Sequence, residues 1–361
     1  MSDLSRLRTY EKLFFSFLKS SDESYTQMAE RYLVTGVTGF IGNVVCRLLL
    51  DAGHVVVGVD NLNAAYDPKL KEWRLAQLTS LPCFQFHRLD FTDLTAIEQV
   101  FENSAGHDAK TPTFAGVLHL GARAGVQPSV DDPLIYLRTN TEGTLNVLEL
   151  CRRHGVPKFV LASTSSLYGA HNQVPFSEDA DTSRPLSPYA ATKKAAEALA
   201  FTYHHLHKID VSIVRYFTVY GPAGRPDMSI FRFIRWIAEG VPIALTGDGE
   251  QKRDFTYVDD IARGTVAALK PLGFEVINLG GDRLTSMNSA IGQIAKLLGR
   301  EPIINRRPMH PADVPATWAN VDKAKRLLGW TPQISLEEGL RRTVAWYQEN
   351  RDLAMQLSLG Q

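Results

Sequence analysis

Arg31-Tyr32-Leu33-Val34-Thr35 runs directly into Gly36-Val37-Thr38-Gly39-Phe40-Ile41-Gly42, and this junction decides the fold. The first five residues read as a buried strand. The spacing Gly-x-x-Gly-x-x-Gly then lets the backbone turn tightly and approach a pyrophosphate, whose charge the N-terminus of a following helix stabilises. A helical stretch, Asn43–Asp51, does follow. Next comes an apolar run, Val55–Val59, that ends on Asp60, eighteen residues past Gly42. An acidic side chain there is placed to hydrogen-bond a ribose diol and would repel a 2′-phosphate, which favours NAD over NADP. Asp90 and Phe91, after a third strand, are placed to contact adenine.

The rhythm continues outward. Strands are expected at Tyr32–Thr35, Val55–Val59, Cys83–His87, Gly116–Leu120, Lys158–Ala162 and Val211–Arg215, with a later one near Glu275–Leu279. Helices are expected at Asn43–Asp51, Thr95–Glu102, Thr141–His154 and Ala190–His207. Alternation of this kind implies an α/β fold, a Rossmann-type doubly wound parallel sheet covered on both faces, with a smaller C-terminal substrate-binding lobe. The division expected is an extension over 1–30, a dinucleotide-binding domain over 31–215 with a returning segment at about 255–285, and a lobe from 216–254 and 286–361. Loops and helices are expected up to Gln251, and helices with Pro-rich connections from Thr285 onward.

Composition narrows the function. The chain has 39 basic and 39 acidic residues, a balance that argues against nucleic acid and gives no electrostatic reason for a membrane surface. No run reaches the length of a membrane span. Cys46, Cys83 and Cys151 are scattered without a C-x-x-C, as reduced cysteines of a cytoplasmic protein would be. The apolar stretch Leu13–Leu18 reads as part of an amphipathic helix or extension covering apolar surface, or as a membrane-lying or partner-binding helix. His204, His205 and His207 fit a helix surface, and no metal site is expected.

Chemistry concentrates around Ser163-Thr164-Ser165-Ser166 and Tyr189-x-x-x-Lys193. Tyr189 and Lys193, at i and i+4, share one helix face. A free tyrosine titrates near pH ~10. A neighbouring ammonium favours the phenolate and makes it a usable base on a hydroxyl group.

With these elements in place, the chain resembles the extended short-chain dehydrogenase/reductase family. Within it the chain is most similar to the nucleotide-sugar 4-epimerases, particularly those acting on UDP-glucuronate. The resemblance runs from about Tyr32 to Trp346 and is carried by LVTGVTGFIG, VDNLNAAYDPKL, STSSLYG, SPYAATKKAAE, RYFTVYGPAGRPDM, RDFTYVDDI and DVPATWAN. It implies bound NAD lined by Gly36, Gly39, Phe40, Ile41, Gly42, Asp60, Asn61, Asp90, Phe91, Leu120, Ala122, Ser163, Tyr189, Lys193 and Tyr216. It also implies a UDP-sugar substrate, with Asp227, Arg253 and Asp313 near the diphosphate. A homodimer packed through Thr141–His154 and Ala190–His207 is implied as well.

The roles implied are Tyr189 as base on the sugar 4-hydroxyl, Lys193 lowering its pKa, and Thr164 hydrogen-bonding the reacting oxygen of a 4-keto intermediate. Thr218 and Arg225 match positions that hold a uronate carboxylate. Related dehydratases and decarboxylases carry an acid after the catalytic Thr. Here Ser165 and Ser166 follow and supply hydrogen bonds to the substrate instead. The family usually reads A-A-Q-A-G-V-R-Y-S beside the sugar pocket, whereas this chain has Gly121-Ala122-Arg123-Ala124-Gly125-Val126-Gln127-Pro128-Ser129. Arg and Gln are exchanged, and Pro128 is expected to stiffen the loop. An epimerase of a neutral or N-acetylated UDP-hexose, a dehydratase or oxidoreductase, and an inactive NAD-binding regulator stay open as alternatives.

Overall fold

The computed structural model describes residues 29–104, 112–308 and 314–360. Residues 1–28 of the N-terminal extension and Asp313 lie outside the described residues. In chain order the strands are β1 (Arg31–Thr35), β2 (Val55–Asp60), β3 (Phe84–Arg88), β4 (Gly116–His119), β5 (Lys158–Thr164), β6 (Asp210–Tyr216) and β7 (Thr218–Tyr220). They continue with β8 (Ile243–Thr246), β9 (Lys252–Tyr257), β10 (Phe274–Leu279), β11 (Leu284–Ser286), β12 (Ile304–Arg307) and β13 (Ala316–Thr317). Seven of them form one parallel sheet in the order β10-β6-β5-β4-β1-β2-β3. From β1 the chain winds outward to β3, then crosses back to β4 and winds the other way. The strand order therefore reverses between β1 and β4, and in an open α/β sheet the crevice beyond the carboxyl ends at that point binds ligands.

The sheet is buried on both faces, so its strands read as apolar runs. Tyr32 and Val34 of β1 pack into one hydrophobic cluster with Leu118, Val160 and Val214. Leu33, pointing the other way, packs with Val117, Phe159 and Ile213. A third cluster lies off the sheet, where Ile230, Phe233 and Ile234 of helix Ser229–Glu239 meet Ile291 and Ile294 of helix Met287–Leu298 and Leu340 and Val344 of helix Leu336–Glu349.

Helix starts set the site. Helix Phe40–Asp51 begins after Gly39 with no side-chain cap, leaving its first N–H groups for a ligand. Helix Pro188–His207 begins earlier than expected, because the Ser187 hydroxyl accepts Ala190 N–H at 3.2 Å and Pro188 occupies the first helical position. Tyr189 thus sits rigidly in the first turn. β5 also runs beyond Ala162 and ends on Ser163 and Thr164.

Several expectations need correction. Helix Pro68–Thr79, capped by Asp67, lies between β2 and β3 where none is expected. The region after Thr285 is not wholly helical, since β11, β12 and β13 form there, and β7 and β8 form before Gln251. These strands are two to four residues long, too short for a period-two signal. The segment before helix Gly143–Arg153 is a π-helical turn, Leu137–Glu142. Pro128 lies in a short helix, Val126–Asp131, rather than in a stiffened loop. Among the described residues no helix is long and apolar enough to cross a membrane.

Candidate active site

A cleft of about 410 Å³ opens over the carboxyl ends of β1, β2, β4, β5 and β6. One end is built from the glycines. Gly36 has φ +71°, and a Cβ on Gly42 would come within 2.2 Å of the Gly36 carbonyl oxygen. The turn closes only because neither residue has a side chain. Asp60 caps the same turn: its Oδ2 accepts Thr38 N–H at 3.2 Å and its Oδ1 accepts Leu62 N–H at 2.9 Å. Phe91 packs so closely on Gly121 that a Cβ there would lie 2.5 Å from the ring. Asp90 accepts from Asn61 Nδ2 at 2.8 Å. Despite partial burial, hydrogen bonds from Thr92 and Asn61 hold its carboxyl below the ordinary range. A backbone cradle at an uncapped helix start, with a carboxylate at the end of β2, is a donor set that fits a dinucleotide.

At the other end Thr164 and Tyr189 meet. The Thr164 hydroxyl accepts Ser166 N–H at 3.1 Å, donates to the Ser166 hydroxyl at 3.2 Å, and acts on the Tyr189 phenol. Burial raises the phenol pKa, while the Thr164 hydrogen bond and the Arg225 charge draw it down. Arg225, which shares the cleft with Tyr189 and Lys193, is thus one cation acting on the phenol. Lys193, buried one turn further along, has its own pKa lowered to about 8 by burial, opposed by Glu197.

Beneath these groups lies a buried network. Arg215 donates to Glu197 through Nε at 2.9 Å and Nη2 at 2.7 Å, and to the Tyr168 hydroxyl at 3.0 Å. Ser163 donates to Glu197 at 2.6 Å, and Tyr168 donates to Asn278 at 2.6 Å. Strands β5, β6 and β10 and helix Pro188–His207 are thereby tied together directly under the cleft floor.

A second network fixes the wall. Thr144 spends its one proton on the Asn140 carbonyl at 2.6 Å, so it accepts from His119 Nε2–H at 3.1 Å. His119 Nδ1 then accepts from Thr35 at 2.8 Å, and Thr35 accepts Gly121 N–H at 3.1 Å. Burial holds His119 neutral, with its pKa lowered to about 3. Asn140 clamps the main chain of Arg123 on both sides, at 2.8 and 3.0 Å, and donates to Thr192 at 3.2 Å. Thr192 in turn donates to the Tyr189 carbonyl at 2.9 Å.

Of the residues singled out in the sequence, Gly36, Gly39, Phe40, Ile41, Gly42, Asp60, Asn61, Phe91, Leu120, Ala122, Ser163, Thr164, Ser165, Ser166, Tyr189, Lys193, Tyr216, Thr218 and Arg225 line this one cleft. Asp90 stands behind Asn61. Asp227 turns to Arg225, accepting Nε at 3.1 Å and Nη2 at 2.6 Å. Arg253, on β9, donates to the carbonyls of Lys252 and Val314, both at 2.9 Å, away from the cleft lining.

The sequence reading missed Tyr66, Lys71 and Arg74. Lys71 lines the cleft 3.8 Å from Asp60. Its pKa is lowered to about 8 by burial, with Asp60 opposing and Arg74, Arg123 and Arg225 reinforcing. Arg74, almost fully buried, donates to the Thr38 carbonyl and the Tyr66 hydroxyl, at 3.1 and 2.6 Å, and to the Ala223 carbonyl. The Asp67-Pro68 helix start is a signal that could have located all three.

Comparison with known proteins agrees with this geometry. The model of the NAD dependent epimerase/dehydratase family matches residues 32–280. The chain is 55% identical over 323 residues to the UDP-glucuronate 4-epimerase of Thermodesulfobacterium geofontis, covering 89% of this chain and 97% of that one. The crystal structure of UDP-glucuronic acid 4-epimerase from Bacillus cereus, in complex with UDP-glucuronic acid and NAD, is 37% identical with a TM-score of 0.81. It covers 88% of this chain and 99% of its own. UDP-glucose 4-epimerase from Thermotoga maritima is 31% identical with a TM-score of 0.80, covering 89% and 99%. By its glycine turn, its parallel sheet and its Thr, Tyr and Lys at the mouth of that sheet, the chain belongs to the NAD dependent epimerase/dehydratase family.

Proposed function

We infer that the protein is an NAD-dependent 4-epimerase of a UDP-sugar, interconverting UDP-glucuronate and UDP-galacturonate. The observation that carries this reading is the meeting of Thr164, Tyr189, Lys193 and Arg225 in one cleft over the carboxyl ends of the sheet. NAD, when bound, supplies the acceptor and donor of the hydride at sugar C4. The Gly36–Gly42 turn would hold its pyrophosphate and Asp60 its ribose.

On this reading Tyr189 takes the proton of the 4-hydroxyl and later returns it. Thr164 holds the reacting oxygen and stabilises the phenolate. Ser165 and Ser166 add hydrogen bonds and no general acid, so the 4-keto sugar is neither dehydrated nor decarboxylated. Thr218 and Arg225 hold the uronate carboxylate. Asp227 pairing with Arg225 bears on the rival reading, an epimerase of a neutral hexose, because it offsets the cation that a uronate would use.

Incubation with UDP-glucuronate, read by chromatography, separates the readings. A mixture of the two uronate epimers without stoichiometric reduced cofactor is expected. A UDP-pentose product, or turnover of UDP-glucose with UDP-glucuronate untouched, would sink the assignment.

We further read residues 31–215, with about 255–285, as the NAD-binding domain, and 216–254 with 286–361 as the substrate lobe, a division supported by the separate apolar cluster of the lobe. Limited proteolysis that cut at neither junction and only inside the lobe would argue against it. A homodimer through helices Gly143–Arg153 and Pro188–His207 is supported by Leu134, Leu137, Leu145 and Phe201, apolar residues exposed on and beside them. Sedimentation at twice the 40.1 kDa chain mass is expected, and a monomer at micromolar concentration would exclude it. Cytoplasmic residence is supported by Cys46, Cys83 and Cys151, none in a disulfide, and recovery outside the cytoplasmic fraction would refute it.

A further inference from the structure

The exchange of Arg and Gln in the loop after β4 has opposite consequences at its two positions. Gln127 and Pro128 are exposed on the short helix Val126–Asp131. Arg123 is only partly exposed, and its Nε is buried with no hydrogen-bond acceptor. A buried donor without a partner is costly and rare in a folded protein. The cost persists where a ligand supplies the missing acceptor.

The charges around Arg123 are already assigned. Asp60 faces Lys71 at 3.8 Å, and Asp227 takes Arg225 through two hydrogen bonds. Among the described residues no carboxylate lies in salt-bridge range of Arg123, whose charge instead adds to those of Lys71 and Arg225. The arrangement therefore holds one guanidinium without a counter-charge beside a second that is only partly offset.

The chain neighbours of Arg123, Ala122 and Ala124, line the cleft, and its charge acts on Lys71 there and on Tyr136. The carbonyl of Ala124, next in the chain, accepts Arg225 Nη2 at 3.3 Å and the Tyr136 hydroxyl at 3.4 Å. The Tyr136 ring stands edge-on to Tyr189 at 6.1 Å. In a hexuronate the carboxylate carbon is bonded to C5, the neighbour of C4. A group that binds the carboxylate must lie beside the base that serves C4, and the Ala124 neighbourhood meets that requirement.

We propose that Arg123 joins Arg225 in an anion seat on either side of Ala124, and that Arg123 is a specificity-determining residue for the carboxylate of the sugar. The proposal rests on the uronate reading above. Two guanidiniums compensate for the Asp227 carboxylate, so the seat still carries net positive charge toward the substrate.

The test is the affinity of the NAD-loaded protein for UDP-glucuronate, UDP-glucose and UDP, by calorimetric titration, in wild type, Arg123→Gln and Arg123→Lys. The Asn140 clamp uses only main-chain atoms of Arg123, so both variants keep the loop tethered. Arg123→Gln is expected to weaken UDP-glucuronate binding about ten- to a hundredfold, the size of a lost charged hydrogen bond, while UDP-glucose and UDP bind as before. Arg123→Lys, which keeps the charge and loses the fork, falls between.

Equal weakening for all three ligands would assign Arg123 to the diphosphate and overturn the proposal. So would unchanged affinity for all three. Failure of the wild type to interconvert any uronate would remove the functional reading, whereas the Arg123-dependent preference in binding is judged on its own.

Discussion

Tyr189→Phe is expected to lower kcat by about two to four orders of magnitude, the usual contribution of a positioned acid–base group. Only the hydroxyl is lost. The ring keeps its edge contact with Tyr136, and the helix start at Ser187 and Pro188 is untouched. A variant that keeps its NAD and loses turnover would match the role assigned to the phenol. Turnover within a few-fold of wild type would remove that role.

The pH dependence carries a signed consequence. Tyr189 acts deprotonated, so kcat/KM rises with pH through its pKa. The Thr164 hydrogen bond and the Arg225 charge both lower that pKa against the burial that raises it. Thr164→Val and Arg225→Ala are therefore each expected to move the rising limb to higher pH. A limb that stays in place, or moves to lower pH, would show that neither group stabilises the phenolate.

The largest stability loss is expected at the buried pair beneath the site. Arg215→Met leaves the buried Glu197 carboxyl with the Ser163 hydroxyl as its remaining hydrogen-bond partner, and it strips Tyr168 of one partner. Removing one member of such a pair costs about 3–5 kcal/mol. Replacing both members by apolar residues is often close to neutral, so Glu197→Met combined with Arg215→Met should recover much of the loss. Urea unfolding of the three variants measures this. A single variant within about 1 kcal/mol of wild type would mean the pair behaves like an exposed one.

The sheet is legible in the sequence because burial on both faces leaves continuous apolar runs, as in Val55–Val59 and Lys158–Ala162, and the glycine turn is legible because only glycine fits it. Helix Pro68–Thr79 is not legible by periodicity. Its inward positions include Lys71 and Arg74, charged residues that face a polar cleft and backbone carbonyls, so no apolar stripe marks the buried side. The lobe strands escape because they are too short to show alternation.

At the site, the residue types are legible and their pairings are not. Arg225 and Asp227 stand two apart in the sequence, yet only folding shows that one holds the other. The same holds for the charges around Tyr189. Spacing on one helix places Lys193 on its face, and only folding brings in Arg225 from the loop beyond β7.

The run of hydrogen bonds through His119 determines which way protons can travel. Every donor in it is committed in one direction, from Gly121 through Thr35 and from His119 through Thr144 to the Asn140 carbonyl. Reversing that order would require the other tautomer of His119 and would take the Thr144 proton away from the Asn140 carbonyl. The Asn140 branch likewise terminates on the main-chain oxygen of Tyr189 and never touches its phenol. The wall of the cleft is thus an insulator toward protons. A proton taken up by Tyr189 is therefore not passed on through the His119 or Asn140 chains.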